Sequence, residues 1–453
     1  MKIFSVMQRE WAKLYGIPLM EEIKNKFPDC KIDTIAYKIS TYNYVKTRKD
    51  LFNKIWHGYK YDDKINDKKI KEEINKISVE YIEKELSIDS IWKNIIYVDR
   101  NLVFTPGKKN RYSYLQQVSD EDAISIAKLN FLLIKNEIFS ENQPDIVILP
   151  NFGSIFHNIL FHYCKSKKIE CWIPQQSKIS NRMVLINNID YSFDNIFKNY
   201  EKYIPKKESI EFSKKYINDN RKEIIKPVHF RKSNKNLTFN FDNQYFKFAF
   251  GIIKLPIKLV IKFCLNLNKL NPKVYRTLDN IKVSDILFTF FKSNFTIIRL
   301  NLFKYNDLNK IEKYAYFPLH VQPEVSTNLW APIFSNQFDL IRQIAISLPL
   351  GLSLVVKEHP IMIGKRPINF YKKLKKLPNV KLIDYRIETN QIINNKNCHL
   401  ITVISGTTGF EAALIGKKVI QFSNTFMNVL PNVSVVTDIT KLIEEFKKIK
   451  EFN

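Results

Sequence analysis

Arginine is scarce in this chain. Of 72 basic residues only 12 are arginine, yet lysine exceeds the acids by enough to leave a formal charge of +27. The guanidinium fork is the group that reads base edges and grips phosphate bidentately, so its shortage argues against a nucleic-acid partner despite the charge. Heavy use of Lys, Asn and Ile is what an AT-rich coding sequence produces, and no nucleic-acid-binding module is recognisable. Cysteine is also sparse. Cys30, Cys164, Cys171, Cys264 and Cys398 form no close pair and no Cys/His cluster at ligand spacing. That excludes a disulfide framework and a zinc site, and it fits a reducing cytoplasm. A G-x-x-x-x-G-K-[ST] loop is missing, which disfavours an ATP-hydrolysing engine. No long apolar run is free of charge: the most apolar stretch, 246–267, is broken by Lys254, Pro256, Lys258 and Lys262. Each central lysine costs roughly 3 kcal/mol in hydrocarbon, so a spanning helix is disfavoured.

What is present describes a folded protein of two or three domains: 453 residues, 45% hydrophobic and 13% aromatic. Met1–Val6 turns polar at Gln8-Arg9-Glu10, which reads as a first strand and not as a signal peptide, so a cytoplasmic location is expected. The basic excess is uneven, with 19 Lys/Arg against 6 Asp/Glu between Arg221 and Lys313. Lys254, Lys258 and Lys262 fall on one helical stripe of the 246–269 segment. Such a stretch fits either the surface of an anionic inner membrane or an inter-domain helix with solvated lysines.

Strand-like and helix-like runs alternate over the first ~220 residues. Predicted strands at Lys2–Met7, Ile32–Tyr37, Ile146–Leu149 and Glu170–Ile173 alternate with helices at Tyr15–Phe27, Asp120–Ser140 and Ile155–Lys165. Asp62–Leu86 is so charged that a solvated helical insertion is expected. The rhythm returns from Tyr314, with strands predicted near 314–319, 352–357, 380–383, 400–404 and 418–422. Strand–loop–helix repetition at this spacing means βαβ units and doubly wound sheets. The expected division is a Rossmann-like domain over 1–220, a basic amphipathic insertion or linker over 221–313, and a nucleotide-sugar domain over 314–453.

Three loops follow strands of the second half. Ser405-Gly406-Thr407-Thr408-Gly409-Phe410-Glu411 passes from strand to helix and offers free N–H groups and hydroxyls at a positive helix end. Its plainer reading is a glycine-containing turn with a capping Glu411. Lys357-Glu358-His359-Pro360 ends an apolar strand, where ligands of open α/β sheets bind. Here His359 could donate to a phosphate while Pro360 stiffens the turn. His320-Val321-Gln322-Pro323-Glu324 ends a third strand and reads as the loop that meets a donor sugar, or as a proline-ordered connection.

In this order the three segments resemble the bacterial capsule polysaccharide biosynthesis proteins. That family includes the β-Kdo transferases, and its donor domain resembles that of bacterial CMP-sialic acid transferases. The similarity covers roughly Tyr314–Val433; Gly416-Lys417-Lys418-Val419 stands where relatives have Gly-Lys-Pro-Val. The resemblance implies two Rossmann-like domains (GT-B) facing a central cleft, and transfer of a CMP-activated, Kdo-like sugar without a metal or cofactor. Carried over by position, His359 with Pro360 would bind donor phosphate and His320 would border the donor. Ser405, Gly406, Thr407 and Thr408 would hold phosphate or cytidine, and Glu411 would contact ribose. The expected acceptor is a lipid-linked glycan. Glycosyl transfer also needs a group to take the acceptor proton, and from their loops Glu324, Glu10 and His157 are the candidates. Two rival readings stay open: an enzyme like UDP-N-acetylglucosamine 2-epimerase, and a non-catalytic assembly or export factor.

Overall fold

The computed structural model describes residues 1–99, 119–140, 143–179, 182–198, 200, 202–222 and 283–448. The expected membrane-facing segment 246–269 lies outside them.

The first sheet is built from β1 (Lys2–Met7), β2 (Lys31–Ala36), β3 (Lys54–His57), β4 (Ile146–Ile148), β5 (Glu170–Gln176) and β6 (Met183–Ile186), in the order β3-β2-β1-β4-β5-β6. All its pairings are parallel except β5 with β6. Strand β1 shows why the sheet sits at the centre of a sandwich. Ile3 and Met7 point into one apolar cluster and Phe4 and Val6 into another, so both faces are covered. Helix α1 (Ile17–Lys26) closes one face through Ile17 and Met20. On the other face lie α2 (Lys68–Lys76), α3 (Val79–Leu86), α4 (Asp120–Leu132) and α5 (Ile155–Ser166).

The expectation of a solvated insertion over 62–86 is corrected here. Ile74, Ile82 and Leu86 are buried in the core beneath their charged neighbours. Each fully buried side chain of this size contributes roughly 1.5–3 kcal/mol, more than the lysines and glutamates between them lose by staying wet.

Two long helices follow, α6 (Lys207–Lys222) and α7 (Val283–Asn301). The second sheet comprises β7 (Tyr314–Pro318), β8 (Ser353–Lys357), β9 (Val380–Leu382), β10 (Cys398–Val403), β11 (Lys418–Gln421) and β12 (Val433–Val435). Its order is β12-β11-β10-β7-β8-β9, parallel throughout. Counted from its own first strand, this is the 3-2-1-4-5-6 arrangement of the first sheet. Again alternate residues serve opposite faces, Ala315 and Phe317 one cluster and Tyr314 and Tyr316 another. The second-half helices used below are α8 (Val325–Asn328), α9 (Gln337–Ser347), α10 (Ile368–Lys375), α11 (Thr407–Leu414) and α12 (Leu442–Lys448). Helix α6 packs on α11 and α7 on α10, so both dock on the second domain.

The domains are joined by an aromatic contact. The Tyr191 ring stacks on Trp330 at 4.7 Å, Trp330 Nε1 donates to the Ile189 carbonyl at 3.1 Å, and Phe193 stacks on Phe426 at 5.2 Å. The Phe426 amide donates to the Tyr191 carbonyl at 2.6 Å. No helix among the described residues is long and apolar enough to cross a membrane.

Candidate nucleotide site at the switch point of the second sheet

In the second sheet the chain runs from β7 outward to β8 and β9, then returns to β10 on the other side of β7. In doubly wound sheets ligands bind beyond the carboxyl ends of the two strands where the direction reverses. The loops leaving them meet there: the Ile404 amide donates to His320 Nε2 at 3.2 Å.

Gly406 is needed for this meeting. A Cβ on it would lie 2.9 Å from His320 Nε2, while its φ of −74° is open to any residue. Its missing side chain therefore makes room for the histidine ring. Gly409 serves packing in the same way, because a Cβ there would come within 2.8 Å of Val403 Cγ2. Gly409→Ala should gain about 1 kcal/mol of helix propensity and lose about 1–3 kcal/mol to overpacking against a fixed strand. A net loss of stability is expected in urea unfolding; a gain would show that α11 rides loosely on β10. Ser405 Oγ donates to the Ser326 carbonyl at 2.9 Å and so ties this loop to α8. No side chain caps α11, and Thr407 and Thr408 are half-buried in its first turn. First-turn amides without intrahelical partners suit an anion.

His320 itself is buried, with its backbone held on both sides. Its amide donates to Gln337 Oε1 at 2.7 Å, and its carbonyl accepts from Gln337 Nε2 at 3.2 Å and from Arg366. Burial, with repulsion from Arg366 and, in acid, from a protonated His359, pushes its pKa down to about 3, so the ring is neutral at neutral pH. Because Nε2 accepts from Ile404, the proton is assigned to Nδ1, on the side of the Pro318 carbonyl. His320 thus supports the Ser405 turn.

His359 lies nearer the opening. It begins the short turn Pro360–Met362, where its Nδ1 accepts from the Ile361 amide at 3.2 Å. Burial and the nearby Arg366, Lys357 and Lys365 push it down to about 4. It is therefore neutral, with its proton assigned to Nε2, which makes it a hydrogen-bond donor and not a cation. The ring is half-buried and Pro360 is exposed.

Beneath both histidines runs a buried ionic network. Glu358 forms an ion pair with Arg366 Nε at 2.9 Å and accepts hydrogen bonds from the Tyr371 hydroxyl at 2.6 Å and from the His359 amide at 2.6 Å. Arg366 is 0% exposed. Burial raises the Glu358 carboxyl, and Arg366, Tyr371 and the His359 amide pull it back. Lys357 is spent elsewhere, donating to the Ile387 carbonyl at 2.8 Å and to Thr389 Oγ1 at 2.9 Å.

The catalytic candidates separate. Glu324 is exposed at the start of α8 and accepts from Ser326 Oγ at 2.8 Å. Glu411 is half-buried in α11, and both carboxylates act electrostatically on Lys178 of the first domain. Glu10 is exposed after β1 and lies 3.8 Å from Lys13. His157 is 2% exposed inside α5, with Nδ1 2.6 Å from Ser154 Oγ. The structure therefore gathers His320, Ser405 and Gly406 directly and His359 through Arg366 and Glu358. It brings Glu324 and Glu411 to one lysine, and it leaves Glu10 and His157 on the opposite domain.

Sequence reasoning missed the groups that hold this arrangement: Arg366, Gln337, Tyr371 and Lys178. Arg366 carried one usable signal, being an arginine in a chain that otherwise prefers lysine; Lys178 carried none. On the first domain's own switch point, between β1 and β4, Asn151 Nδ2 donates to Gln8 Oε1 at 2.6 Å. No group of three or more His, Cys, Asp or Glu among the described residues could hold a metal ion.

Two doubly wound sheets of equal strand order form this chain. The architecture is GT-B. No protein-family model matches the sequence. Among curated proteins, FixF of Sinorhizobium fredii is 27% identical over 133 residues, which is 28% of this chain and 30% of FixF. The chain thus matches less than a third of that relative's length. Among solved structures, a KpsC β-Kdo 2,7 transferase of Thermosulfurimonas dismutans is 17% identical with a TM-score of 0.22, covering 40% of this chain and 55% of the solved one. UDP-GlcNAc 2-epimerase of Methanocaldococcus jannaschii is 13% identical with a TM-score of 0.27, covering 100% of this chain and 94% of that one. The Neisseria meningitidis epimerase bound to UDP-GlcNAc is 11% identical with a TM-score of 0.28, covering 100% and 92%. The strand orders, and not these scores, define the GT-B arrangement of the chain.

Proposed function

We propose that this chain is a glycosyltransferase of capsular or other surface-polysaccharide assembly. It transfers a CMP-activated, Kdo-like sugar from its nucleotide to a lipid-linked glycan. Residues 314–453 form the donor domain, 1–220 the acceptor side, and 221–313 the basic connection. The observation that carries this reading is the meeting of the His320 loop with the Ser405–Glu411 turn at the switch point of the second sheet, with His320 and His359 both tied to the Arg366–Glu358 pair.

The neutral His359 donates Nε2–H to a donor phosphate oxygen, and the first-turn amides of α11 donate to the same anion at the helix end. Thr407 and Thr408 border it, Glu411 takes ribose hydroxyls, and His320 keeps the turn in place. In transfer, the bond from anomeric carbon to phosphate oxygen breaks and its electron pair stays on the phosphate. The acceptor oxygen bonds that carbon and gives its proton to Glu324, the exposed carboxylate beside the turn. The enzyme works in the cytoplasm, and segment 246–269 holds it to an anionic inner-membrane surface.

Isothermal titration of CMP and UDP tests this reading. CMP should bind in preference to UDP, and His359→Ala and Ser405→Ala should each weaken CMP by about tenfold, the worth of one good hydrogen bond to a charged group. Selectivity for UDP would point instead to an epimerase-like enzyme. Binding of neither nucleotide would leave an assembly or export factor.

A further inference from the structure

Lys178 sits in the connection between β5 and β6 of the first domain, and it is held unlike a surface lysine. The preceding Ser177 Oγ donates to the carbonyls of Ile179 at 3.3 Å and Arg182 at 3.0 Å, and accepts from the Ile179 amide at 3.2 Å. Tyr216 of α6 donates to the Lys178 carbonyl at 3.3 Å. The Lys178 backbone has φ +65°, in the left-handed region. A non-glycine residue is strained there, whereas glycine would make the same turn freely.

The lysine side chain reaches the domain interface. Its Nζ lies 5.7 Å from the centre of the Tyr191 ring, which is itself stacked on Trp330 of the second domain. Glu324 and Glu411, flanking the Ser405 turn, both bear on it. Burial draws the ammonium below the usual lysine range while the two carboxylates draw it back. A half-buried ammonium beside Tyr191 at the domain interface, in the field of two carboxylates of the second domain, is placed to exchange one anion for another.

We propose that Lys178 is the cation that meets the donor phosphate, so that the first domain supplies charge to a site built otherwise on the second. This inference rests on the donor-site reading above. Lys178 balances the charge of Glu324 and Glu411. When a nucleotide enters, Nζ donates to a phosphate oxygen and Glu324 is left free to take the acceptor proton. As the anomeric carbon–oxygen bond breaks, the electron pair passes to that phosphate oxygen, where the ammonium stabilises it. Because Lys178 comes from one domain and the Ser405 turn from the other, binding also ties the two domains together.

The full chain titrated with CMP and with cytidine, which lacks the phosphate, tests this. Lys178→Met should weaken CMP at least tenfold and leave cytidine within twofold; Lys178→Arg should restore most of the CMP affinity. Equal weakening of CMP and cytidine would mean that Lys178 only supports the fold, which overturns the inference. Unchanged CMP affinity in Lys178→Met overturns it too, while leaving the donor site intact. A wild-type chain that binds neither probe overturns both. Thermal unfolding of each variant accompanies the titrations, and if the methionine variant does not fold, Lys178→Gln carries the same comparison with the same outcomes.

Discussion

Replacing Arg366 with alanine is expected to destabilise the protein by about 3–5 kcal/mol, the usual cost of stripping one partner from a buried ion pair. The side chain is 0% exposed and lies 2.9 Å from the Glu358 carboxylate, which is itself 3% exposed. Without it Glu358 keeps the Tyr371 hydroxyl and the His359 amide but loses its ion-pair partner, and the His320 carbonyl loses a donor. Glu358 should then take up a proton in preference to remaining ionised. Pairing Arg366→Met with Glu358→Gln should cost clearly less than the sum of the single changes, because the second removes the charge that the first strands. Urea unfolding read as a shift in midpoint at constant slope measures both. A loss below about 1 kcal/mol for Arg366→Ala would mean that the network is incidental. The same variant should weaken CMP binding, since both histidines rest on this pair.

Acid is expected to weaken the fold through His320. Its pKa in the folded chain is about 3, below the value near 6.5 that an unfolded histidine shows. The unfolded chain therefore binds the extra proton first. The contribution is fully present above about pH 6.5 and is lost as pH falls toward 3, at about 1.4 kcal/mol per pH unit. Across the whole window that reaches about 5 kcal/mol, of the order of a domain's entire stability. His162, buried and pushed down to about 4, and His359, also near 4, act in the same direction. Glu358 opposes them, because burial raises its carboxyl and acid favours its protonated form in the fold. For that reason the difference between wild type and His320→Gln is the informative quantity. Between pH 6 and 4 the variant should show a pH slope shallower by about 1.4 kcal/mol per unit, although it is less stable at pH 7. Parallel curves would contradict the buried neutral histidine.

Much of this molecule was legible from its residues, and the exceptions share a cause. The second sheet announced itself because runs such as Tyr314–Pro318 and Ser353–Lys357 are short, apolar and buried on both faces, and each ends in a polar loop. Strands β3, β6 and β12 went unread: they are three or four residues long and partly exposed, so their pattern is too weak to stand out. Residues 62–86 misled because charge dominates their composition while three apolar positions decide where they pack. In the site, the turn at Ser405 and the His359-Pro360 loop were visible because their chemistry is local. Gly406 and Gly409 were visible as glycines but not for their reason, which is clearance for His320 and Val403 and not an approach to ligand. Arg366 and Lys178 depend on partners brought close only by folding: Arg366 reaches the carbonyl of His320, 46 residues away in sequence, and Lys178 faces carboxylates of the other domain.

The most direct measurement is a crystal structure of the chain with CMP bound. The expected result is a phosphate at the switch point of the second sheet, within hydrogen-bond reach of His359 Nε2 and the first-turn amides of Thr407 and Thr408. The Lys178 ammonium should reach the same phosphate from across the cleft. A nucleotide seated instead beside Gln8 and Asn151 at the first sheet's switch point, or anywhere away from the Ser405 turn, would contradict the assignment of the donor site.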